Sequence, residues 1–303
     1  MKKSIFALAA LGLTAVAFAD TTLITNINGY TLTSDRELVQ FSALQFTDDR
    51  IDRTFTRAEN LPKVMARTID GGGQTLIPGL IDAHGHILSY GSFLLQVDLG
   101  GSSSEMEAAQ RVAGFYSDND ELEWIQGRGW NQVLWESNEF PSAASLDLVV
   151  SDKPVWLRRI DGHAGWANTM AMELAGVNRD SEDPTGGQII RDENGNPTGV
   201  FIDTAMSYIT AQMPASTIEE LQLTLSTSMN RLATYGLTSV HDAGAGSQTI
   251  AAYKILSEKG PLPIRVNVML AASDPLYLDR LGEGYFRSDD GTLTINSVKI
   301  VGD

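Results

Sequence analysis

The chain of 303 residues contains no cysteine, which excludes thiolate catalysis, disulfide bonds and zinc sites built on sulfur. Basic residues are also scarce: 22 lysines and arginines stand against 38 aspartates and glutamates, for a formal charge of −16, and no basic run interrupts this excess. Because an acidic chain repels phosphate groups, we expect neither nucleic-acid binding nor adhesion to an anionic membrane surface.

Long apolar runs are missing after the N-terminus, where residues 1–19 are typical of an export signal. Lys2 and Lys3 precede an apolar stretch, and Ala17-Phe18-Ala19 forms a cleavage motif. A membrane anchor is the alternative, but the apolar stretch is shorter than the ~20 residues of a spanning helix. We therefore predict cleavage after Ala19, no membrane anchor in the mature chain, and export to a periplasm.

The rest of the chain is predicted to have an α/β fold. Short alternating strands are expected over residues 20–76, with turns at Asn28-Gly29 and at Asp48-Asp49-Arg50. The apolar run from Thr75 to Ile81 predicts a buried strand. The polar and aromatic region over 100–230 predicts an inserted lobe. Strand and helix patterns alternate over 231–303, which favours parallel βα units.

Helical periodicity is clearest over residues 217–235, where apolar residues recur on one face and Gly236 provides a C-terminal stop. Two shorter helices are predicted over 105–116 and 249–258. The strands expected after the long helix cover 237–240, 263–270 and 294–301.

Polar residues end the apolar run, in the order Asp82-Ala83-His84-Gly85-His86. Because side chains alternate along a strand, Asp82, His84 and His86 should project from one face, and two imidazoles from one strand end can ligate one metal ion. A pair of hydrogen-bonded histidines in a β turn is the alternative. Trp130 and Trp166 could form apolar walls for a substrate, or they could be buried in the core.

The segment from Ile77 to His86 (IPGLIDAHGH) resembles the first-strand signature of the metal-dependent amidohydrolase superfamily. Further motifs follow in the order seen in the YtcJ-like, family-three amidohydrolases, and the resemblance covers residues 70–303. These motifs are Trp130-Asn131-Gln132, Phe140-Pro141, Leu146-Asp147, Asp161-Gly162-His163, Asp183-Pro184-Thr185-Gly186-Gly187, Gly199, Gly236-Leu237-Thr238-Ser239-Val240 and Val298-Lys299-Ile300.

The resemblance implies a (β/α)8 TIM barrel beside a small β-sandwich. Residues 20–76 would belong to the sandwich, 77–99 to the first barrel strand and its loop, 100–230 to a large insertion, and 231–303 to barrel strands two to four. A complete barrel takes ~250 residues. The superfamily draws two histidines from strands five and six and an aspartate from strand eight. The chain supplies none of these, so it looks like an N-terminal fragment. We expect the fragment by itself to be inactive and its full-length parent to be the hydrolase, and no catalytic residue is assigned.

Lys299 falls where the superfamily often carries a carboxylated lysine. An ammonium group cannot lie between two divalent cations, but a neutral amine can add carbon dioxide and become an anionic carbamate. The resemblance thus implies a site for one or two divalent ions, with zinc expected, formed by His84, His86 and Lys299. A strand lysine that reaches solvent is the alternative.

Four other residues are expected at the substrate cleft. The resemblance places His163 and Asp161 there, although His163 could also be a loop histidine satisfied by Asp161. His241 ends the implied second strand, where rim hydrogen bonding and metal contact are equally open. Trp130 is the fourth.

The implied activity is hydrolysis of carbon–nitrogen bonds other than peptide bonds, such as amides or formamides of small molecules, by attack of a metal-bound hydroxide on a carbonyl. A secreted binding or regulatory protein that keeps the scaffold without catalysis is the alternative. An incomplete barrel exposes strand edges, so pairing with a second copy of the chain is open as well.

Overall fold

A computed structural model describes residues 21–57, 61–62 and 67–302. The chain divides into two compact units, with the boundary between Gly79 and Leu80. The predicted export signal lies outside the described residues. Within them, every helix is too short or too polar to cross a bilayer.

The described part of the first unit consists of short strands in two small sheets. One sheet has the order β5-β4-β1-β6 and the other β3-β2-β7. The strands are Thr21–Thr25 (β1), Asn28–Leu32 (β2), Leu38–Phe41 (β3), Ala43–Thr47 (β4), Arg50–Phe55 (β5), Arg67–Asp70 (β6) and Thr75–Leu76 (β7).

One of the two turns predicted in this unit is confirmed. Asp48 adopts a positive φ of 52° between β4 and β5. The turn at Asn28-Gly29 is wrong, because both residues lie within β2 and the chain turns instead at Asn26, with φ 53°. Gly29 is a glycine for a packing reason: a Cβ there would lie 2.2 Å from the Phe41 ring.

The second unit alternates strands and helices. Its described strands are Leu80–Gly85 (β8), Val97–Asp98 (β9), Ile125–Trp130 (β10), Val155–Arg159 (β11), Ala164–Ala167 (β12), Gly187–Arg191 (β13), Pro197–Asp203 (β14), Leu237–Ala245 (β15), Arg265–Ala271 (β16), Phe286–Arg287 (β17) and Leu293–Lys299 (β18). Its described helices are Ile87–Leu94 (α1), Glu105–Asp118 (α2), Ala143–Asp147 (α3), Thr169–Leu174 (α4), Ser207–Thr210 (α5), Ile218–Thr234 (α6), Ser247–Lys259 (α7) and Tyr277–Gly282 (α8).

Four parallel strands form the sheet that positions the candidate site. The sheet has the order β17-β18-β16-β15-β8 within the described residues, and only β17 runs antiparallel. Apolar side chains of α1, α6 and α7 pack on one face of it, including Ile87, Leu225 and Tyr253. The parallel βα prediction is therefore confirmed. The described strands form an open sheet rather than a closed (β/α)8 barrel.

The long predicted helix is α6, and its ends follow from local chemistry. The Thr217 hydroxyl accepts a hydrogen bond from the Glu220 backbone N–H, and the Glu220 carboxylate accepts one from the Thr217 N–H. This capping box satisfies two backbone donors at the helix start. Gly236 follows the last turn with a φ of 82°, as expected for the residue that ends a helix.

The prediction of a buried strand over Thr75 to Ile81 is wrong. β7 ends at Leu76 and β8 begins at Leu80. Leu80 is 53% exposed and Ile81 is 64% exposed. Within the described residues β8 is an edge strand, paired only with β15, so its apolar residues are covered less than those of the central strands.

Another sheet of the second unit lies in the segment predicted as an insertion, except for β9, a strand within the predicted 77–99 segment. Its described strands have the order β13-β14-β12-β11-β10-β9. One cluster of buried side chains contains Val112, Trp130 and Trp166, and another contains Trp156 and Phe201. Because side chains alternate along β11, Trp156 and Leu157 belong to different clusters, and apolar residues cover both faces of this sheet.

Candidate active site

His84 and His86 bring two imidazoles together at the end of β8. Their ring centroids are 5.3 Å apart in an edge-to-face arrangement, and both residues are exposed. Gly85 between them faces the helices, since a Cβ there would lie 2.8 Å from Val240 Cγ1. The two rings therefore project from the opposite face of the sheet, as alternation predicts for this pair. The prediction that Asp82 joins them is wrong, because the register shifts between Asp82 and Gly85 and the Asp82 carboxylate lies on the side of Gly85, 3.3 Å from the same Cβ position.

A buried pair of side chains fixes the start of α1 directly after His86. The Asp242 carboxylate accepts the Ile87 backbone N–H at 3.2 Å and the Tyr253 hydroxyl at 2.8 Å. Burial raises the pKa of Asp242 and raises that of Tyr253 well above its ordinary value. Asp82 accepts the His84 backbone N–H at 3.0 Å, so this carboxylate orders the strand end.

Lys299 lies on the same face as the histidines. It is the last residue of β18 and pairs with Ala271 of β16. Its Cγ lies 3.3 Å from the position that a Cβ on Gly244 would occupy, although Gly244 belongs to β15. The lysine stem therefore crosses β16 on the face opposite the helices.

His241 and Asn267 are register partners on this face. Their strand neighbours Val240 and Val268 point into the helix-covered core, so alternation directs His241 and Asn267 the other way. Among the described residues, no group bonds the buried side-chain oxygen of Asn267. We call the surface formed by His84, His86, His241, Asn267 and Lys299 the polar face.

Sequence reasoning missed Asn267, although a signal was available. Asn267 alternates with Val266 and Val268 in β16, and a polar residue at that position of a half-buried strand faces away from the apolar core. The roles of Asp242 and Tyr253 were also missed, because they require contacts between separate elements.

The polar face fits two imidazole ligands of a divalent cation. The parallel strands end at one edge of the sheet, which is where enzymes of α/β architecture place reactive groups. In the described part of the chain, no three histidine, aspartate or glutamate side chains are grouped to hold an ion. A cation held by His84 and His86 would need a further ligand of another kind, and Lys299 lies on the same face.

His163 lies on the six-stranded sheet, in the segment between β11 and β12. Its Nδ1 lies 2.7 Å from Asp203 Oδ1, and this hydrogen bond raises the pKa of His163 above 6.5. Asp161 accepts the His163 backbone N–H at 3.1 Å and pairs with Arg159. The alternative of a loop histidine satisfied by Asp161 therefore describes the backbone N–H of His163, whereas the ring has Asp203 as its partner. Both histidine and partner are exposed.

The structure contradicts a substrate contact at Trp130. Its side chain is fully buried, and its indole N–H donates to the Leu157 carbonyl at 2.9 Å. Trp135 and Trp166 pack against it with ring centroids 6.2 Å away in each case. Trp130 and Trp166 are therefore core residues, which is the alternative to substrate walls, because a ring without exposed surface cannot touch a ligand.

A parallel sheet with polar side chains grouped on one face has the form of an α/β enzyme. The chain belongs to the amidohydrolase family, whose sequence model matches residues 67–303. The resemblance drawn from the motifs is therefore confirmed.

The protein LONG AFTER FAR-RED 3 of Arabidopsis thaliana is 35% identical over 219 residues, covering 72% of this chain and 37% of that protein. YtcJ of Bacillus subtilis, whose name assigns it to the amidohydrolases, is 32% identical and covers 65% of this chain and 38% of its own length. The N-substituted formamide deformylase of Arthrobacter pascens is 27% identical, and the match covers 65% of this chain and 38% of that protein. The chain thus spans less than half the length of these relatives.

Two solved structures share the fold. An uncharacterised metal-dependent hydrolase from Pyrococcus furiosus superposes with a TM-score of 0.69 at 24% identity, covering 92% of this chain and 55% of that one. A similarly described protein from Pyrococcus horikoshii gives 0.68 at 23% identity, with coverages of 92% and 54%. These matches support the mixed α/β fold of the chain.

Proposed function

We propose that the chain carries the first metal ligands of a hydrolase that acts on carbon–nitrogen bonds other than peptide bonds. Amides and formamides of small molecules are the substrate class. The observation that carries this proposal is the juxtaposition of the His84 and His86 imidazoles at the end of β8, on the face that Lys299 shares. Membership in the amidohydrolase family supports it.

His84 and His86 would each give a ring nitrogen to a divalent cation, and zinc is the ion we expect because it binds imidazole well. Lys299 would join as a carbamate, formed when its neutral amine adds carbon dioxide, and could bridge to a second ion. A bound zinc ion would polarise a substrate carbonyl and lower the pKa of water.

The chain's own residues orient this site. Asp242 and Tyr253 hold the backbone directly after His86, which limits how far that imidazole can move. The unbonded side-chain oxygen of Asn267 can accept a hydrogen bond from a substrate N–H on the polar face. His241 lies beside it and is a second candidate for substrate contact.

The proposal also covers the cellular location of the protein, the type of its substrate and its assembly. The pattern over residues 1–19 supports export to a periplasm, and the formal charge of −16 supports a small-molecule substrate over a nucleic acid. The exposed edge strand β8 supports assembly with a second copy of the chain.

The test measures metal content and hydrolysis on the same preparations of the 303-residue chain. After loading with zinc and desalting, the wild type should retain metal by mass spectrometry, while His84→Gln and His86→Gln should lower zinc affinity at least ~10-fold. His163→Gln is the control, because its ring is bonded to Asp203 elsewhere. A panel of N-substituted formamides, amides and peptides then reports the bond cleaved.

Two results would contradict the proposal. Equal zinc retention by wild type and both histidine variants would remove the site. Zinc retention that depends on the histidines, without hydrolysis by a protein that also carries the late-strand histidines and aspartate, would favour a secreted binding or regulatory protein.

A further inference from the structure

Two arginines lie side by side on one face of the six-stranded sheet. Arg128 of β10 and Arg158 of β11 are paired in the parallel register, so their backbones are about 4.8 Å apart. Like charges that face each other across neighbouring strands destabilise a sheet. Such a pair requires a compensating anion to be favourable.

Neither guanidinium forms an ion pair with a carboxylate in the part of the protein that the structure describes. There, the Arg128 guanidinium has no hydrogen bond or ion pair, and Arg158 donates only to the Gly162 carbonyl, at 3.2 Å. Other arginines of the same lobe do have carboxylate partners, as Arg111 pairs with Glu107 and Arg159 with Asp161. Asp98 of β9 is the register partner of Arg128 on its other side, but its carboxylate accepts the Gly100 backbone N–H and forms no ion pair with Arg128 among the described residues.

The two arginines line a cavity of about 260 Å³ between the sheet and α1. Gln126 adds a side-chain amide, while Trp156, Phe93 and Met213 add apolar surface. We call this cavity the arginine cleft. Its volume is below the ~300 Å³ at which drug-sized pockets begin, so its occupant is a small molecule. A cavity with positive charge from the two arginines and apolar surface from the other side chains suits an organic anion.

The arginine cleft borders the candidate active site through α1. This helix begins directly after His86, and its residue Ser89 lines the cleft. At 1.5 Å per residue, Ser89 lies about 4.5 Å along the chain direction from His86, and Phe93 about 10 Å. The cleft therefore begins within one helical turn of His86 along the chain, although the two imidazole rings lie on the face of the sheet away from α1.

We propose that the arginine cleft binds a small organic anion, a carboxylate or phosphate attached to an apolar group, through Arg128 and Arg158. Guanidinium groups bind both anions through paired N–H donors, whereas a neutral amide offers them no charge. Where this anion belongs to the substrate, the inference rests on the proposed function. Binding of the anion by itself does not.

The test is calorimetry on the 303-residue chain in the presence of a chelator, so that no bound metal can hold the anion. Benzoate and phenyl phosphate are the anionic probes, and benzamide is the neutral one. We expect both anions to bind at least ~10-fold more tightly than benzamide, with the tighter of the two identifying the preferred group. Arg128→Gln and Arg158→Gln should each weaken anion binding ~10-fold or more, and added salt should weaken it in the wild type.

Arg179→Gln is the matched control, since it removes one exposed positive charge of the same lobe outside the cleft. It should leave anion affinity unchanged. Without ligand, Arg128→Gln should melt at about the same temperature as the wild type, because the Arg128 guanidinium has no hydrogen bond or ion pair to lose among the described residues. This measurement separates lost binding from lost folding. Equal affinity for benzamide and benzoate, or unchanged benzoate affinity in both cleft variants, would overturn the proposal.

A pair of formamides separates this inference from the proposed function. With zinc present, 4-formamidobenzoate should be hydrolysed with a higher kcat/KM than neutral formanilide, and Arg128→Gln should abolish the preference. Benzoate binding without hydrolysis of either compound would support the cleft and contradict the proposed function. Hydrolysis of both at equal rates, without benzoate binding, would do the reverse.

Discussion

The side chain of Lys299 lies against Gly244, although β16 separates the strands to which these residues belong. A Cβ at position 244 would lie 3.3 Å from Lys299 Cγ and 3.6 Å from its Cβ. Gly244 also has a φ of 111°, a conformation that residues with a side chain rarely adopt. The glycine thus gives the lysine its path across the polar face.

Gly244→Ala should destabilise the chain by about 1–3 kcal/mol, because the positive φ strains alanine and the new methyl group presses on Lys299. Urea unfolding followed by fluorescence measures the change. Gly114→Ala is the control, since Gly114 lies in α2 with open space around it and should gain about 0.5–1 kcal/mol. Equal effects of the two substitutions would show that position 244 tolerates a side chain.

Tyr253→Phe should cost about 1–3 kcal/mol of folding free energy, because it leaves the buried Asp242 carboxylate without one of its hydrogen-bond donors. Tyr116→Phe is the comparison, because the Tyr116 hydroxyl bonds an exposed carboxylate of Asp152 that water can solvate instead. We expect Tyr116→Phe to change stability by less than about 0.5 kcal/mol. Chemical denaturation of both variants tests whether burial sets the cost.

Buried Asn168 and half-buried Asn267, whose side-chain oxygen is buried, should respond oppositely to leucine. Asn267→Leu removes an oxygen that lacks a partner among the described residues, so it should leave stability unchanged or raise it by about 1 kcal/mol. Asn168→Leu breaks bonds to Val155, Ala171, Val150 and Lys153, and should cost several kcal/mol. A large loss of stability in Asn267→Leu would mean that its oxygen is satisfied in solution.

His163 should titrate above 6.5, because its hydrogen bond with Asp203 favours the protonated ring. The pair then contributes stability that is fully present below pH 6.5 and is lost as the pH rises through the pKa of the folded state. NMR titration can follow this ring, since the chain has only four histidines. Asp203→Asn should lower the pKa of His163 more than Asp161→Asn does, because Asp161 acts only through its charge at longer range.

Local patterns predicted the parts of the fold that local chemistry determines. The α6 helix follows from its apolar periodicity, its capping box at Thr217 and its stop at Gly236, all of which lie within the segment itself. The His84 and His86 pair also follows from two-residue alternation along a single strand. Such features need no knowledge of distant residues.

Features that depend on distant residues were predicted poorly. The exposure of Ile81 depends on what covers β8, and the burial of Trp130 depends on rings from separate segments. The pairing of Arg128 with Arg158 depends on a strand register that joins residues far apart in the sequence. Asn28-Gly29 is a common turn sequence, and the real reason for Gly29 is the close approach of Phe41, which lies on another strand and cannot be identified from the local sequence.

The exposed edge of β8 has a consequence for the chain in concentrated solution. Backbone amides at a free edge can pair with the same strand of another molecule, and the bare Leu80 and Ile81 side chains would strengthen that contact. Light scattering should therefore show an apparent mass that rises with protein concentration, although repulsion between the negatively charged molecules opposes association. A lysine in place of Ile81 should act as a gatekeeper and suppress this association.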